Sequence, residues 1–314
     1  MKTVIIGLMA ATAMMACAPA WAQSKEIAVI VKTANSNFWQ NVNNGAQAAI
    51  EHLPDYTMTF QGPAAESNVA DQVNMVDNAI NRRVAGIVLA PSDPDALIPS
   101  VKKAWENAIP VVLIDSGLSE DGTKYYQSFL STDNKTAGEL CAKEMIERMG
   151  NEGKVAIMSY VPGVGSEIGR VGGFTDYIKA NSDIEIVGPL YSQSLMATAL
   201  NQTVDTLAAN PDLNGIFGAN EPTAAGMGRA IEQAGRAGQL TAIGFDGNQD
   251  LQDFVRDGTL DGIAVQGSFQ MGDLGVQTVA KIIAGEEVDK FIDTGVVFVT
   301  KDNIDAPEAQ NVLY

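Results

Sequence analysis

The 314-residue chain has little cysteine, a single histidine and a shortage of positive charge. Of its two cysteines, Cys17 falls in a leader that reads as a signal peptide over residues 1–22. Lys2 stands near the start, an apolar stretch follows, and Ala20-Trp21-Ala22 forms an A-x-A cleavage site before Gln23. The apolar stretch is too short to span a membrane, and Met14-Met15-Ala16 before Cys17 makes a poor lipobox. Cleavage leaves Cys141 alone, so no intramolecular disulfide is available and a packed core must hold the exported protein. Cys141 sits in AGELCAKEMIERM among apolar residues at helical spacing, where a buried structural thiol is expected.

The only histidine, His52, precedes Leu-Pro at the end of a predicted helix, with no spacing to a metal ligand or catalytic partner. No Cys/His cluster suggests zinc and no EF-hand loop suggests calcium. No pair of acidic groups has the spacing of a general acid and base, so no enzyme and no cofactor are expected. Lys and Arg number 20 against 38 Asp and Glu, a net charge of −18, which becomes −19 once Lys2 leaves with the leader. Such a field repels phosphate backbones and anionic membranes, and excludes nucleic acid as a partner.

What the chain does have is a rhythm. The apolar runs EIAVIVKTAN, AGIVLAPSD, IPVVLIDSG, KVAIMSYVPG, NGIFGANE, LTAIGFDGN and DGIAVQGS each end in a polar residue and lead into a helical pattern. Continuous β-branched runs between amphipathic helices predict parallel strands covered on both faces, an α/β fold. The rhythm comes in two blocks, Lys25 to about Leu130 and Lys154 to about Asp261, with a helix cap at Asp133 or Asn134 between them. Two such sheets place a crevice at the carboxyl ends of their strands.

The run-ending residues are therefore the candidates. Asp115 ends VVLID and Asp246 ends TAIGFD; each suits a turn, but two of them in different blocks point to a shared crevice. Asn220 ends GIFGAN, Gln266 ends GIAVQ and Lys32 closes the first strand. Arg170 stands in the first turns of a predicted helix, against the dipole, and calls for a compensating partner. In ANSNFWQNVNNGAQAAI, the helical stripe runs through Phe38, Val42, Ala46, Ala49 and Ile50, and Trp39 lies about 100° off it. Trp39 either closes the core edge or offers its ring to the C–H face of a sugar, with amides, carboxylates and a guanidinium for the hydroxyls. GVGSEIG (163–169) misses the dinucleotide fingerprint by one residue, and Glu167 would repel a pyrophosphate there. Asp95 in APSDPDA reads as a helix cap.

Taken together, VIVKTANSNFWQNVNNGAQ, GIVLAPSDPDAL, IPVVLIDS, STDNKTAGE, IFGANEPTAAGMGRAI, IGFDGNQD and VQGSFQMG resemble, in order, the blocks of the periplasmic sugar-binding proteins of ABC importers. The likeness is to the ribose/allose/galactose-type cluster, and Lys32 with Phe38-Trp39 is most similar to allose-type members. The resemblance implies a type I periplasmic binding protein: two Rossmann-like, doubly wound parallel-sheet lobes joined by a three-segment hinge near Ser131, Gln266 and Thr294. It implies an N-terminal lobe of residues 23–131 plus 267–294 and a C-terminal lobe of 132–266 plus 295–314. It also implies ligand contacts at Lys32, Ser36, Phe38, Trp39, Asp115, Arg170, Asn220, Asp246 and Gln266.

The implied function is capture of a monosaccharide or related polyol by hinge closure and delivery to an inner-membrane ABC permease, without chemistry. A sensor presenting a sugar or autoinducer to a membrane receptor is the alternative. The implied location is periplasmic, and a monomer is the default. Two departures stand out. Ser116 occupies a position where ribose-type members carry arginine, and YSQSLMATAL has Ser194 and Leu195 where a second-lobe aromatic is usual, leaving Tyr191 or Met196 as substitutes.

Overall fold

A computed structural model describes residues 25–314; the expected signal peptide and Cys17 lie outside them. The first lobe starts with β1 (Lys25–Ile30), α1 (Asn37–Glu51), β2 (Tyr56–Gln61), α2 (Val69–Arg82), β3 (Gly86–Leu89), α3 (Ile98–Glu106), β4 (Val111–Ile114) and β5 (Ser128–Ser131). The chain then crosses to a second lobe. There it forms α4 (Asn134–Met149), β6 (Lys154–Ser159), α5 (Gly165–Asn181), β7 (Glu185–Tyr191), α6 (Met196–Ala209), β8 (Gly215–Gly218), α7 (Glu221–Gln233), β9 (Thr241–Phe245), α8 (Gln249–Asp257) and β10 (Gly262–Gln266). It returns to the first lobe for α9 (Ser268–Ile283) and β11 (Phe291–Asp293), and crosses once more for β12 (Val296–Val299) and α10 (Pro307–Gln310).

Each lobe is built on a six-stranded sheet, ordered β2-β1-β3-β4-β5-β11 in the first and β7-β6-β8-β9-β10-β12 in the second. The order reverses beside β1 and beside β6, and a crevice opens at the carboxyl ends of the strands at such switch points. The seven apolar runs supply β1, β3, β4, β6, β8, β9 and β10, whose residues are almost all buried because helices cover both faces. One strand departs from the all-parallel expectation. β12 pairs antiparallel with β10, since it enters from a crossing at residues 294–295 rather than from a crossover helix.

Local signals set the helices. Ser36 caps α1 by accepting the Trp39 N–H at 3.4 Å, and Asp133 caps α4 by accepting that of Thr136 at 3.1 Å. The cap expected at Asp95 is not made: α3 begins at Ile98 behind Leu97, which caps nothing with its side chain. The acidic residues of that segment close their own turn instead, with Asp93 accepting the N–H groups of Asp95 and Ala96. His52 is exposed at the C-terminus of α1. Cys141 is fully buried, and burial pushes its thiol far above the ordinary range, so it is inert as a nucleophile.

In each lobe the helix after the first strand is pressed, backbone to backbone, against a helix that directly follows a crossing. α1 lies on α9, where a Cβ on Gly45 would stand 2.0 Å from the Phe269 carbonyl oxygen and one on Gly272 would stand 1.9 Å from that of Val42. α5 lies on α4 in the same way: a Cβ on Gly138 would meet the Arg170 carbonyl at 2.0 Å and one on Gly173 that of Lys135 at 2.3 Å. Only glycine permits such approaches.

Candidate functional site

The lobes meet over a small, largely filled cavity. All nine residues singled out from the sequence line it: Lys32, Ser36, Phe38, Trp39 and Asp115 from the first lobe, and Arg170, Asn220, Asp246 and Gln266 from the second. Trp39 is core and cavity wall at once. It is 2% exposed, packs edge-on to Phe38 at 4.8 Å between ring centroids, and donates its indole N–H to Glu66 at 3.1 Å.

The polar groups form two clusters. In the first, the Lys32 ammonium lies 2.6 Å from the Asp115 carboxylate and donates to the hydroxyls of Ser116 at 2.7 Å and Ser166 at 3.2 Å. The Ser116 hydroxyl donates to Asp115 and accepts the Ser166 backbone N–H at 3.2 Å. Serine at this position therefore ties the lobes together, a part that a bulky arginine could not play in the same space.

The second cluster centres on Arg170. Its guanidinium stacks on the Phe245 ring at 3.6 Å and donates to Asn134 through Nε at 3.1 Å and Nη2 at 2.7 Å. It also donates to the Ala219 carbonyl at 2.6 Å and the Gln266 side chain at 3.2 Å. These partners answer the dipole conflict of a cation early in α5. Of the five guanidinium N–H groups, one on Nη1 has no partner among the described residues and is free for a ligand. Gln266 passes its amide N–H on to Asp246 at 2.8 Å, and the other Asp246 oxygen accepts the Glu221 N–H at 2.9 Å.

Asp115 and Asp246 both hold left-handed backbone conformations, with φ of 61° and 78°. Aspartate tolerates this region better than most residues, and the turn aims each carboxylate back over the strand end. Glu167 resolves the GVGSEIG question: its carboxylate accepts the Ser159 hydroxyl at 3.0 Å and the Gly163 N–H at 3.3 Å, filling the loop where a phosphate would lie.

Five further lining residues escaped the sequence reading: Glu66, Tyr160, Ser166, Glu221 and Pro222. Tyr160 is the second-lobe aromatic. The substitutes expected, Tyr191 and Met196, do not line this cavity, and Met196 faces a separate outer one. Tyr160 follows Ser159 at the end of β6, and its strand-end position was the available signal. Its hydroxyl donates to Ser166 at 2.9 Å.

Two carboxyl groups here titrate far from their ordinary values. Burial, with the charge of Asp246 adding to it, raises Glu221 to about 7, and burial raises Asp246 to about 6 against the opposing pull of Arg170. Each binds its proton more tightly in the folded protein than in an unfolded chain, where Glu lies near 4.5 and Asp near 3.8. The stability this pair contributes is thus complete below the ordinary range and is lost as pH rises through 6 and 7. The melting temperature is expected to fall by roughly 3–6 °C between pH 5 and pH 8, and by less in Glu221→Gln. A melting temperature that rises over that interval would contradict the assignment.

Residues 27–287 match the family model described as periplasmic binding protein domain. A D-allose-binding periplasmic protein of Escherichia coli is 28% identical over 278 residues, covering 87% of both chains. A solved structure of an ABC transporter solute-binding protein from Agrobacterium vitis with bound D-fucose superposes with a TM-score of 0.92 at 73% identity, covering 92% of this chain and 100% of that one. Another, from Agrobacterium radiobacter in complex with D-arabinose, gives a TM-score of 0.88 at 33% identity over 93% of this chain and 99% of its own.

Proposed function

The chain belongs to the periplasmic binding protein domain family, and from that membership we propose that it captures a neutral monosaccharide in its ring form between its lobes and delivers it to an ABC import permease in the inner membrane. The observation that carries this reading is the interlobe cavity, where the Phe38 and Trp39 rings come from one lobe and Arg170, Asn220, Asp246 and Gln266 from the other. A sugar has an apolar C–H face for the rings and hydroxyls for the planar polar groups. It can satisfy both only when the lobes are closed, so its preference for the closed form drives hinge motion.

Charge narrows the class. Four acidic side chains (Glu66, Asp115, Glu221, Asp246) face the cavity against two cations, Lys32 and Arg170, and a ligand carboxylate or phosphate would add to the crowding that already raises Glu221 and Asp246, which favours uncharged sugars over sugar acids and phosphates. Similarity to the D-fucose-bound protein favours a 6-deoxyhexose or a pentose of like ring geometry. Periplasmic location after removal of residues 1–22, action as a monomer and release of the ligand unaltered complete the proposal.

Thermal denaturation of the mature protein with D-fucose, D-galactose, D-arabinose, D-allose, ribose and galacturonate tests it. Ligand at ~100 times its dissociation constant adds about 2.7 kcal/mol and raises the midpoint by several degrees. D-Fucose is expected to give the largest shift and galacturonate none. Absence of a shift with every neutral sugar would overturn the proposal.

A further inference from the structure

Helix α1 begins with orphaned donors. Its cap, Ser36, satisfies only the N–H of Trp39, and no acidic residue lies in the first turn. The N–H groups of Asn37 and Phe38 have no acceptor within their own helix. Both are taken from across the cleft. The Glu221 carboxylate accepts from Asn37 at 3.1 Å and from Phe38 at 2.6 Å, one oxygen to each.

Glu221 is the first residue of α7 in the other lobe, and an acid there would ordinarily serve its own helix dipole. Here the side chain leaves α7 to serve α1, while the Tyr314 hydroxyl donates to it at 3.1 Å. The carboxylate is 5% exposed, so it has exchanged water for these donors. Glu66 makes the reverse connection. Held by the Trp39 indole, it reaches from the first lobe to accept the Ser194 hydroxyl of the second at 2.7 Å. Separation of the lobes breaks both connections.

We propose that Glu221 is a cross-lobe latch: it caps α1 only when the cleft is closed and so stabilises the closed form equally for every neutral sugar, rather than selecting among neutral sugars. The Glu66–Ser194 bond is its weaker counterpart. Because Phe38 is both capped by the latch and part of the cavity wall, closing the latch also fixes the aromatic wall. A latch acts after encounter, so its loss appears in the dissociation rate. Apparent affinity falls with the competent closed fraction, by the same factor for all ligands.

The ligand arm of the test rests on the proposed sugar binding; a second arm does not. Dissociation constants and rates are measured for each sugar that binds the wild type, in Glu221→Ala and Ser194→Ala. Glu221→Ala is expected to weaken every sugar about 10–100-fold, mostly through faster dissociation, with the rank order kept. Ser194→Ala, which removes the bond to Glu66 and also an acceptor of Asn220 at 3.0 Å, should do the same about 2–10-fold. Losses that differ between sugars by more than about fivefold would mark Glu221 as a selecting contact and overturn the latch. In ligand-free protein locked closed by a Ser116→Cys/Gly165→Cys disulfide, whose Cβ atoms would stand 3.7 Å apart, amide hydrogen exchange at Asn37 and Phe38 is expected to be severalfold faster when Glu221→Ala is added, with the later turns of α1 unchanged. Equal rates there would overturn the latch even if sugars bind, and a wild type that binds no sugar would overturn the function while this arm still decides the latch.

Discussion

Arg170→Ala is expected to abolish detectable sugar binding, a loss of about a thousandfold or more, in a protein that remains folded. Arg170 holds three things in place: Gln266, Asn134 and, through its field, the Asp246 carboxylate. Removing it takes away the free Nη1 donor and leaves Asp246 without the cation that opposes its protonation. Charge-assisted bonds contribute ~1.5–3 kcal/mol each, and every ~1.4 kcal/mol is tenfold, so losing two brings the thousandfold. The variant also strands the Ala219 carbonyl and empties the stacking position on Phe245, so its melting temperature should fall by several degrees. Calorimetric titration, with far-ultraviolet dichroism to confirm the fold, checks both. Affinity kept within tenfold would remove Arg170 from the site.

Gly138→Ala is expected to cost ~3 kcal/mol or more of stability, or roughly 6–12 °C in melting temperature. The new Cβ would stand 2.0 Å from the Arg170 carbonyl oxygen, which is helix backbone and cannot swing aside. Helix α5 must move off α4, carrying the guanidinium with it, so affinity falls as well. Gly172, in the same helix, is the control. A Cβ there meets nothing within 4 Å, and Gly172→Ala should be neutral or stabilising by up to ~1 kcal/mol through helix propensity alone. Similar melting temperatures for the two variants would show that the helix contact is looser than the geometry requires.

The contrast between legible and illegible residues follows from chain geometry. Lys32, Asp115, Asn220, Asp246 and Gln266 could be read because each interrupts a continuous apolar run at its carboxyl end, where a parallel sheet exposes its switch point. Edge strands β2 and β7 gave no such run. They are half exposed, so their sequences YTMTFQ and EIVGPLY lack a buried stripe on both faces. Tyr160 merged with the apolar run before it. Glu66 lies in the connection between β2 and α2, with no periodic signal to mark it. Glu221 carried a local meaning, an acid in the first turn of a helix, that hid its contact with a different helix 183–184 positions away. The reversal of β12 was likewise unreadable, because strand direction at a sheet edge depends on where the chain re-enters.

The clasp of α1 by α9 bears on the order in which the molecule can be completed. About 230 residues separate the centres of the two helices, and nearly all of the second lobe is made between them. An emerging chain therefore presents the first lobe with its opening helix unpartnered, and the glycine face of α1 stays bare until α9 arrives. The second lobe has α4 to hand before α5 is made, and can assemble without waiting. The first lobe must wait for a helix made only after α4 through β10 of the second, and a chain cut between β10 and α9 would leave it without the helix that seals it.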